Sequence, residues 1–428
     1  MASLTVTQPT VFKKSTAQSS DLSASAKASV LAGQVLELEA AYRVGQHCWV
    51  KLSQPIEPVG KIGYFFLPHV KTQLEEIRSV WMTNVDSRVL ESKARIEQGL
   101  QHLKQLGINT IYPVVWQRGF TLYPSPIAQA FIGPATVPDP KFATRDMLAE
   151  IVDVAKALQL RVIPWFEYGL ATLPKSVLAT QKPHCVTTDK TGNPIRTKRT
   201  DGKPDTFVWL NPCHPEVKQF FVDLIMDVVD RYDVDGIQLD DHFGFPVELG
   251  QDAFTTQCFN QENHINWLTQ WFKSVDRNAW KTQKMTELLS DLVHRIKVNH
   301  PNCVISISPN PLAFSQTNYC VDWLTWIQRG LVDELVLQVY RDNLTSLINE
   351  LEKPEVVRSC QQIPVSIGLL AGLKQKSVSS DRLQQQIHAV RHRNFAGISF
   401  FFYETLLNEA LFPVTVPRSQ SQLQQLFQ

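Results

Sequence analysis

The chain has 428 residues, 43% apolar and 19% charged, which is enough apolar content for a large buried core. Lysine and arginine number 42 against 41 aspartates and glutamates, so no net charge recruits nucleic acid or an anionic membrane, and we expect a neutral ligand. The seven cysteines are scattered, without a CxxC motif or a histidine at metal-ligand spacing, so we expect buried thiols and neither a metal nor a cofactor.

The N-terminal sequence predicts two segments before the main domain. Residues 1–33 are rich in Ser, Thr, Ala and Gln and predict a disordered tail. Residues 34–75 alternate short β-rich runs with Gly and Pro turns, which predicts a small β module that packs on the main domain and resembles a bacterial SH3-like domain. The start has no apolar signal region, and no run of 18 apolar residues predicts a membrane span. We expect a cytoplasmic location for the sequence as given, or the cell envelope if the true start lies upstream.

Residues 76–415 alternate predicted strands with helices, and residues 416–428 are expected to form a C-terminal tail. Amphipathic helical patterns, such as residues 146–160 and 215–233, separate the strands. Eight apolar runs predict the strands: 77–84, 108–117, 161–169, 235–243, 303–310, 333–341, 364–372 and 397–405. Eight such units predict an α/β protein with a (β/α)₈ TIM barrel. A doubly wound open sheet would want a Gly-rich phosphate turn after its first strand, and the sequence has none there.

The residues at the strand ends predict where chemistry takes place. In the fourth strand Gln238 and Asp240 share one face, and Ile237 and Leu239 share the other. In a barrel of this kind the active site lies at the carboxyl ends of the strands. Asp240 is therefore expected to project into the mouth, with Glu167 after the third strand and Glu404 after the eighth as the other acidic groups. Asp235, which opens the fourth strand, is expected to cap or be solvated.

Glu167 shares strand parity with Trp165, and an aromatic wall raises a carboxyl pKa as a general acid requires. A structural alternative is a buried Glu167 paired with Arg118 or Arg341. Glu404 is kept as the alternative acid. Two carboxyl groups across a neutral cleft are what glycosidic bond cleavage needs.

Other side chains at the predicted mouth are candidates for binding substrate. The predicted substrate-binding residues are Asn84, Trp116, Arg118, Trp165, Gln238, Asp241, His242, Asn310, Tyr340 and Arg341. Asp241 is expected either to order the next loop or to pair with a neighbouring base. Asp240, Asp241 and His242 could offer metal ligands, but consecutive residues at a strand end point in opposite directions and rarely reach one ion.

Several stretches together resemble a known family. These are IRSVWMTNVDSRVL, INTIYPVVWQRGFTLYPS, VIPWFEYG, ISISPN, and the block that runs from NPCHPEV to DGIQLDDHF. In this order, from about residue 76 to 410, they resemble the glycosyl-hydrolase-like family 10. The DGIxxDDxF block preceded by NPxxPEV is the most specific part.

The resemblance implies a glycoside hydrolase distantly similar to the alpha-amylase group, in which the aspartate that ends strand four is the nucleophile. That role would fall on Asp240. The Glu that those barrels carry at the end of strand five is missing, because this position has the sequence SISPN. Glu167 is therefore the preferred acid.

The sequence thus predicts hydrolysis of a polysaccharide or oligosaccharide, with no nucleic acid partner. Some family members act on bacterial cell-wall glycan, and SH3-like modules accompany cell-wall enzymes, so this substrate stands ahead of alpha-glucans. The absence of a visible export signal counts against it. The alternative is a non-catalytic barrel that binds carbohydrate or cell wall. Sugar, linkage, endo or exo action, stereochemical course and oligomeric state are not predicted.

Overall fold

A computed structural model describes residues 2–133, 141–196, 206–264, 275–374, 376–407 and 418–427. The chain divides into two compact units. The first comprises Met1–Trp81, His102–Ile111 and Ile327–Gln428, and the second comprises Met82–Gln101 and Tyr112–Trp326. Each unit contains part of the strand and helix alternation that the sequence predicts.

The strands, in chain order, are β1 (Ala2–Val6), β2 (Thr10–Lys13), β3 (Lys27–Val30), β4 (Val35–Val44), β5 (His47–Ile56), β6 (Gly60–Phe66), β7 (Val70–Thr72), β8 (Ile77–Met82), β9 (Thr110–Pro113), β10 (Trp116–Gln117), β11 (Phe120–Thr121), β12 (Arg161–Val162), β13 (Trp165–Phe166), β14 (Ala171–Thr172), β15 (Val208–Trp209), β16 (Gly236–Asp240), β17 (Val304–Ser308), β18 (Glu334–Gln338), β19 (Val365–Leu370), β20 (Gly372–Leu373), β21 (Lys376–Ser377) and β22 (Gly397–Phe401). Each of the eight predicted apolar runs contains a strand. The third run contains two short strands, β12 and β13, on either side of Ile163 and Pro164.

The helices are α1 (Lys93–Gln105), α2 (Pro126–Ile132), α3 (Met147–Ala157), α4 (Val177–Gln181), α5 (Pro215–Arg231), α6 (Ala253–Glu262), α7 (Arg277–Asn299), α8 (Leu312–Tyr319), α9 (Trp323–Gln328), α10 (Leu344–Leu351), α11 (Pro354–Ser359), α12 (Ser380–Arg391), α13 (Tyr403–Leu407) and α14 (Gln420–Phe427). Side-chain caps start several of them. The Asp146 carboxylate accepts from the Ala149 amide at the start of α3, and the Asp252 carboxylate accepts from the Thr255 amide at the start of α6. Pro215 occupies the first turn of α5, where its missing N–H leaves no hydrogen bond unmade.

The N-terminal residues form an antiparallel sheet in the order β3-β2-β6-β5-β4-β1-β7. Its core includes Leu4, Val6 and Phe12, each without exposed surface. The ring of Phe12 stacks on Phe65 with centroids 4.8 Å apart. The prediction of a disordered tail over residues 1–33 is therefore wrong, because β1 pairs with β4 and β7, β2 pairs with β6, and β3 pairs with β2. The small β module is seen and is larger than predicted, whereas its SH3-like character stays a prediction.

We expect Phe12→Ala to destabilise the first compact unit by about 3–5 kcal/mol, because the buried ring leaves a cavity against Phe65. Urea unfolding followed by tryptophan fluorescence measures the change. Val11→Ala is the matched control on the same strand. Val11 is only partly buried, so this variant is expected to lose under about 1 kcal/mol. Equal losses for the two variants would contradict the packing described for β2.

Four parallel strands in the first compact unit follow the order β8-β22-β19-β18. Their register sets Ser79 beside Ser399, and Ser399 beside Gly368. Ser79 and Ser399 share a short hydroxyl contact and have no exposed surface. Ser79, Ser399 and Gly368 thus lie in one buried row of small side chains. The β module packs on these strands, since Tyr42, Trp49 and Tyr64 cluster with Ile77 and Ala396.

Three parallel strands in the second compact unit follow the order β13-β16-β17. Trp165, Gln238 and Ser306 stand side by side in one row. The Gln238 amide donates to the Ser306 hydroxyl at 3.0 Å, and Gln238 has no exposed surface. The next row toward the carboxyl ends holds Asp240 and Ser308.

Parallel strands joined through helices confirm the predicted α/β class, and closure into an eight-stranded barrel stays a prediction. The predicted C-terminal tail, residues 416–428, contains α14, in which Leu423 and Leu426 are buried, so a free tail is wrong for these residues. Residues 408–417, where the predicted barrel boundary falls, lie outside the described part of the chain. Across the described ranges, no helix is both long and apolar enough to cross a membrane.

Candidate active site

The carboxyl ends of two neighbouring strands, β13 and β16, bring acidic groups together in the second compact unit. Asp240 ends β16, and Glu167 directly follows β13. Because Trp165 pairs with Gln238 and Phe166 with Leu239, the register continued by one residue sets Glu167 beside Asp240. Both residues share strand parity, so their side chains leave the same face.

Asp240 is nearly buried, with 8% of its surface exposed. The Ser308 hydroxyl donates to its Oδ1 at 2.8 Å. Burial and the neighbouring Asp241 charge raise the pKa of Asp240 well above its ordinary value. Sequence reasoning did not identify Ser308 as a partner of Asp240, although the strand register sets the two residues side by side.

Glu167 is partly buried, and the Gln117 amide donates to its Oε2 at 3.3 Å. Burial raises the pKa of Glu167 to about 7, although the charges of His242 and Arg118 and the Gln117 amide act to lower it. A pKa near neutrality lets this group hold a proton in one step and release it in the next. The Arg118 charge acts on Glu167, and the Arg118 Nε donates to the Tyr168 hydroxyl at 3.3 Å. The alternative of a purely structural Glu167 paired with Arg118 or Arg341 stays a prediction.

Asp241 and His242 form an ion pair in the turn after β16. The Asp241 Oδ1 lies 2.9 Å from Nδ1 of His242, and the Asn310 amide donates to Asp241 Oδ2 at 2.6 Å. Burial raises the pKa of Asp241, but the His242 charge and the Asn310 amide outweigh it and hold that pKa low. Burial likewise lowers the pKa of His242, but the Asp241 charge outweighs it and brings that pKa to about 9. At neutral pH the pair is therefore ionised.

Aromatic rings enclose His242. The Tyr168 ring stacks on it with centroids 5.0 Å apart, and the Trp209 ring stacks at 5.7 Å. Phe207 meets it edge-on at 5.7 Å. These rings cover much of the His242 imidazole and shield it from solvent. Sequence reasoning missed all three, and β15, which carries Trp209, lies outside the predicted strands.

Backbone turns hold the flanking residues in place. Arg118 and Gly119 both have positive φ in the two-residue turn that joins β10 to β11, as a type I′ hairpin requires. Gly169 has a φ of +45°, and a Cβ there would lie 2.5 Å from the Phe243 amide nitrogen. Glycine thus lets the loop after Glu167 approach the loop after Asp240.

Three of the predicted substrate-binding residues are buried. Trp116 has no exposed surface, and its indole N–H donates to the Gly169 carbonyl at 2.8 Å. Trp165 is 2% exposed, and Gln238 is bonded to Ser306. Burial favours a supporting role for these three over direct contact with a ligand. Arg118, Asp241, His242 and Asn310 remain partly exposed.

The remaining predicted site residues are not among the described contacts of Asp240 and Glu167. Asn84 lies in the loop after β8, and its side-chain oxygen is buried without a hydrogen bond among the described residues. Glu404 is the second residue of α13, in the first compact unit, and has no exposed surface. Tyr340 and Arg341 belong to that unit too, where Arg341 pairs with Glu350 at 2.9 Å. Their roles at a site with Asp240 stay predictions.

Metal-ligating atoms also meet at this site. Potential ligand atoms of Asp240, Asp241 and His242 all lie within 4.8 Å of one another. The expectation that consecutive residues would point apart is wrong here, because Asp241 and His242 lie in a turn and not on the strand. The ionised Asp241–His242 contact uses donor atoms that a cation would need.

The His242 charge makes the pKa of Glu167 testable without any substrate. We expect His242→Gln to raise the pKa of Glu167 above about 7, because His242 is the leading charge that lowers it. Carboxyl-carbon NMR titration measures the midpoint, with the resonance assigned by its loss in Glu167→Gln. His300→Gln, which removes a histidine paired with Asp230, is the matched control and should leave the midpoint in place. An unchanged midpoint in His242→Gln would contradict this electrostatic arrangement.

Comparison with known proteins identifies relatives. The family model described as Glycosyl hydrolase-like 10 matches residues 76–390. Glycosyl hydrolase DigH of Escherichia coli K12 is 26% identical over 286 residues, which cover 62% of this chain and 62% of DigH. Glycosyl hydrolase YngK of Bacillus subtilis is 23% identical over 301 residues, which cover 62% of this chain and 54% of YngK. The chain thus spans less than two thirds of the length of these relatives.

Two solved structures are similar in fold. The glycoside hydrolase domain of PgaB (BpsB) from Bordetella bronchiseptica superposes with a TM-score of 0.58 at 13% identity, covering 78% of this chain and 96% of that domain. The catalytic domain of beta-amylase from Paenibacillus polymyxa has a TM-score of 0.54 at 11% identity, covering 81% of this chain and 96% of that domain. At such low identity these structures show the fold alone.

Proposed function

The chain belongs to the glycosyl hydrolase-like 10 family, and from that premise we propose that it hydrolyses O-glycosidic bonds with Asp240 and Glu167 as its working carboxyl groups. The family and the glycosyl hydrolases among its relatives support a glycosidase-type function. The catalytic roles of Asp240 and Glu167 are our proposal and are not taken from these relatives.

One observation carries the assignment of the residues. Glu167 and Asp240 occupy neighbouring positions at the carboxyl ends of adjacent parallel strands, and folding raises the pKa of both. Two such groups repel when both are ionised, so near neutral pH the pair tends to hold one proton. One protonated and one ionised carboxyl group is the state that glycoside hydrolysis requires.

In the proposed reaction Glu167 gives its proton to the glycosidic oxygen, and the electrons of the breaking C–O bond go to that oxygen. The Asp240 carboxylate attacks the anomeric carbon, or removes a proton from the water that attacks it. The Ser308 hydroxyl positions Asp240 through Oδ1. The ionised Asp241–His242 pair adds no net charge, which suits a neutral sugar.

The proposed substrate is a polysaccharide, with bacterial cell-wall glycan strands ahead of alpha-glucans. Cell-wall glycan is proposed because the family resemblance implies activity on it. Alpha-glucans are proposed because the resemblance also implies kinship with the alpha-amylase group. The rings around His242 are largely buried, so direct sugar contact falls to the partly exposed Arg118 and Asn310.

A substrate panel tests the proposed function. Wild-type protein is incubated with purified glycan strands freed of peptides, with intact peptidoglycan and with amylose, and the reducing ends released are measured over time. We expect release from at least one glycan and none from a protein-free control. Retention of a glycan without release of reducing ends would contradict the hydrolase and favour a carbohydrate-binding domain.

A further inference from the structure

A second cluster of metal-ligating side chains lies in the second compact unit, made up of His184, Cys185 and His214. One ligand atom from each lies within 4.8 Å of those from the other two. Backbone pairing brings the residues together, because the Asn211 amide donates to the Cys185 carbonyl at 2.7 Å and Val186 bridges to Leu210. Distance along the chain hid this cluster from sequence reasoning, which expected no metal.

His214 supplies an independent sign of a missing ligand. Its Nδ1 is buried and has no hydrogen-bond partner in the described ranges. Buried imidazole nitrogens usually have a polar partner, and a bound ion would supply one for Nδ1 of His214. The other members of the cluster are the half-exposed His184 and the fully buried Cys185.

Glu216 adds the outer contact that metal-binding histidines usually make. Its Oε1 lies 3.2 Å from Nε2 of His184, and its Oε2 lies 3.1 Å from the Lys182 ammonium. A histidine that binds a metal commonly donates its other ring N–H to a carboxylate, which fixes the tautomer and the ring orientation. Glu216 in this position leaves Nδ1 of His184 for an ion.

We propose that His184, Cys185 and His214 bind one Zn²⁺ ion, with Glu216 as the hydrogen-bonded partner of His184. A thiolate and two neutral imidazoles form a donor set that this borderline-soft ion prefers, with the fourth tetrahedral position left for water. Burial raises the pKa of the Cys185 thiol to about 11, so metal binding must displace that proton into solvent.

The ion would tie the turn at 183–185 to the start of α5. The same backbone pairing continues to Trp209, whose ring stacks on His242, and the Thr187 amide donates to the Trp209 carbonyl at 2.9 Å. The proposed ligands form a group separate from Asp240, Asp241 and His242. Metal binding to this group is expected to raise the melting temperature whether or not the chain hydrolyses glycans.

Metal titration of the full-length chain tests the site. Reduced protein is stripped with a chelator and titrated with Zn²⁺ by calorimetry, and with Co²⁺ by absorption spectroscopy. We expect one equivalent of metal, a thiolate-to-cobalt charge-transfer band and a higher melting temperature. Cys185→Ser is expected to abolish the band, and His184→Ala, at a half-exposed position that folding tolerates, to abolish tight binding. Cys258→Ser, a cysteine outside the cluster, is the matched control and should behave as wild type.

We expect Glu216→Gln to weaken metal binding by about 10- to 100-fold without abolishing it, because this is the usual cost of losing a carboxylate that holds a metal-binding histidine. Absence of metal uptake by the wild type would overturn the proposal. Uptake without the thiolate band, and unaltered in His184→Ala, would overturn it too and would place the ion elsewhere, such as at Asp240, Asp241 and His242.

Discussion

Asp240→Asn is expected to lower the rate of glycoside hydrolysis by about 10⁴-fold, because asparagine supplies neither a nucleophile nor a base to the anomeric carbon. Asparagine keeps the size of the side chain and an oxygen that accepts from the Ser308 hydroxyl. The measurement is the initial rate of reducing-end release on whichever glycan the wild type cleaves.

The same substitution is expected to raise the melting temperature at pH 7. Folding raises the pKa of Asp240, and such a group opposes folding at every pH above its unfolded value, where folding must bind a proton or bury a charge. Removing the carboxyl group removes that penalty, and the gain should vanish as the pH falls below about 4. Lower stability together with lower activity would instead indicate simple damage to the fold.

Asp235→Asn is the matched control for Asp240→Asn. Asp235 lies just before the other end of β16, where its carboxylate accepts from the Val162 amide at 3.0 Å. Asparagine can make the same contact, so we expect wild-type rates. An equal loss of activity in both variants would show that strand β16, and not the Asp240 carboxylate, is what the reaction needs.

Glu167→Gln is expected to lower the rate by about 10²- to 10⁴-fold, the usual contribution of a general acid. The pKa of Glu167 lies near 7, so wild-type kcat/KM should fall as the pH rises through about 7 and the acid loses its proton. The variant should lack this decline, because glutamine does not titrate. Initial rates between pH 4 and 9 measure both effects.

Glu287→Gln is the matched control, since this acid is on the surface of α7 and pairs with Lys284. It should keep both the rate and the decline near pH 7. A decline that persists unchanged in Glu167→Gln would assign the acid to another residue, and Glu404 would then be the next to test.

Apolar runs in the sequence located the strands of the parallel sheets. All eight predicted runs contain strands, because buried parallel strands are continuous apolar runs bounded by turns. Alternation also predicted the position of Asp240 at a strand end, on the same strand face as Gln238. These properties are local, so one sequence suffices to predict them.

Properties that depend on distant partners were missed. Residues 2–30 have a polar composition, yet Leu4, Val6 and Phe12 fall on the strand faces that meet the β module core. Average composition does not reveal such spacing when the partner strands lie far along the chain. Sequence reasoning missed the rings of Tyr168 and Trp209 around His242 for the same reason, because their contacts arise from loops.

The proposed pairing of Asp240 with Glu167 came from strand parity, and the register of β13 with β16 supplies a physical basis for it. Strand parity could not predict which of these carboxyl groups is protonated. The pKa changes of Asp240 and Asp241 have opposite directions. Burial and the Asp241 charge raise the pKa of Asp240, whereas, despite burial, His242 and the Asn310 amide hold the pKa of Asp241 low.

Reducing-end release by the Asp240→Asn/Glu167→Gln double variant, measured beside the wild type and Asp235→Asn on the same purified glycan, tests the central claim most directly. Glycan retained by each protein is measured in the same samples. The proposed mechanism predicts release by the wild type and Asp235→Asn, and bound glycan without release by the double variant. Release by the double variant at the wild-type rate would contradict it.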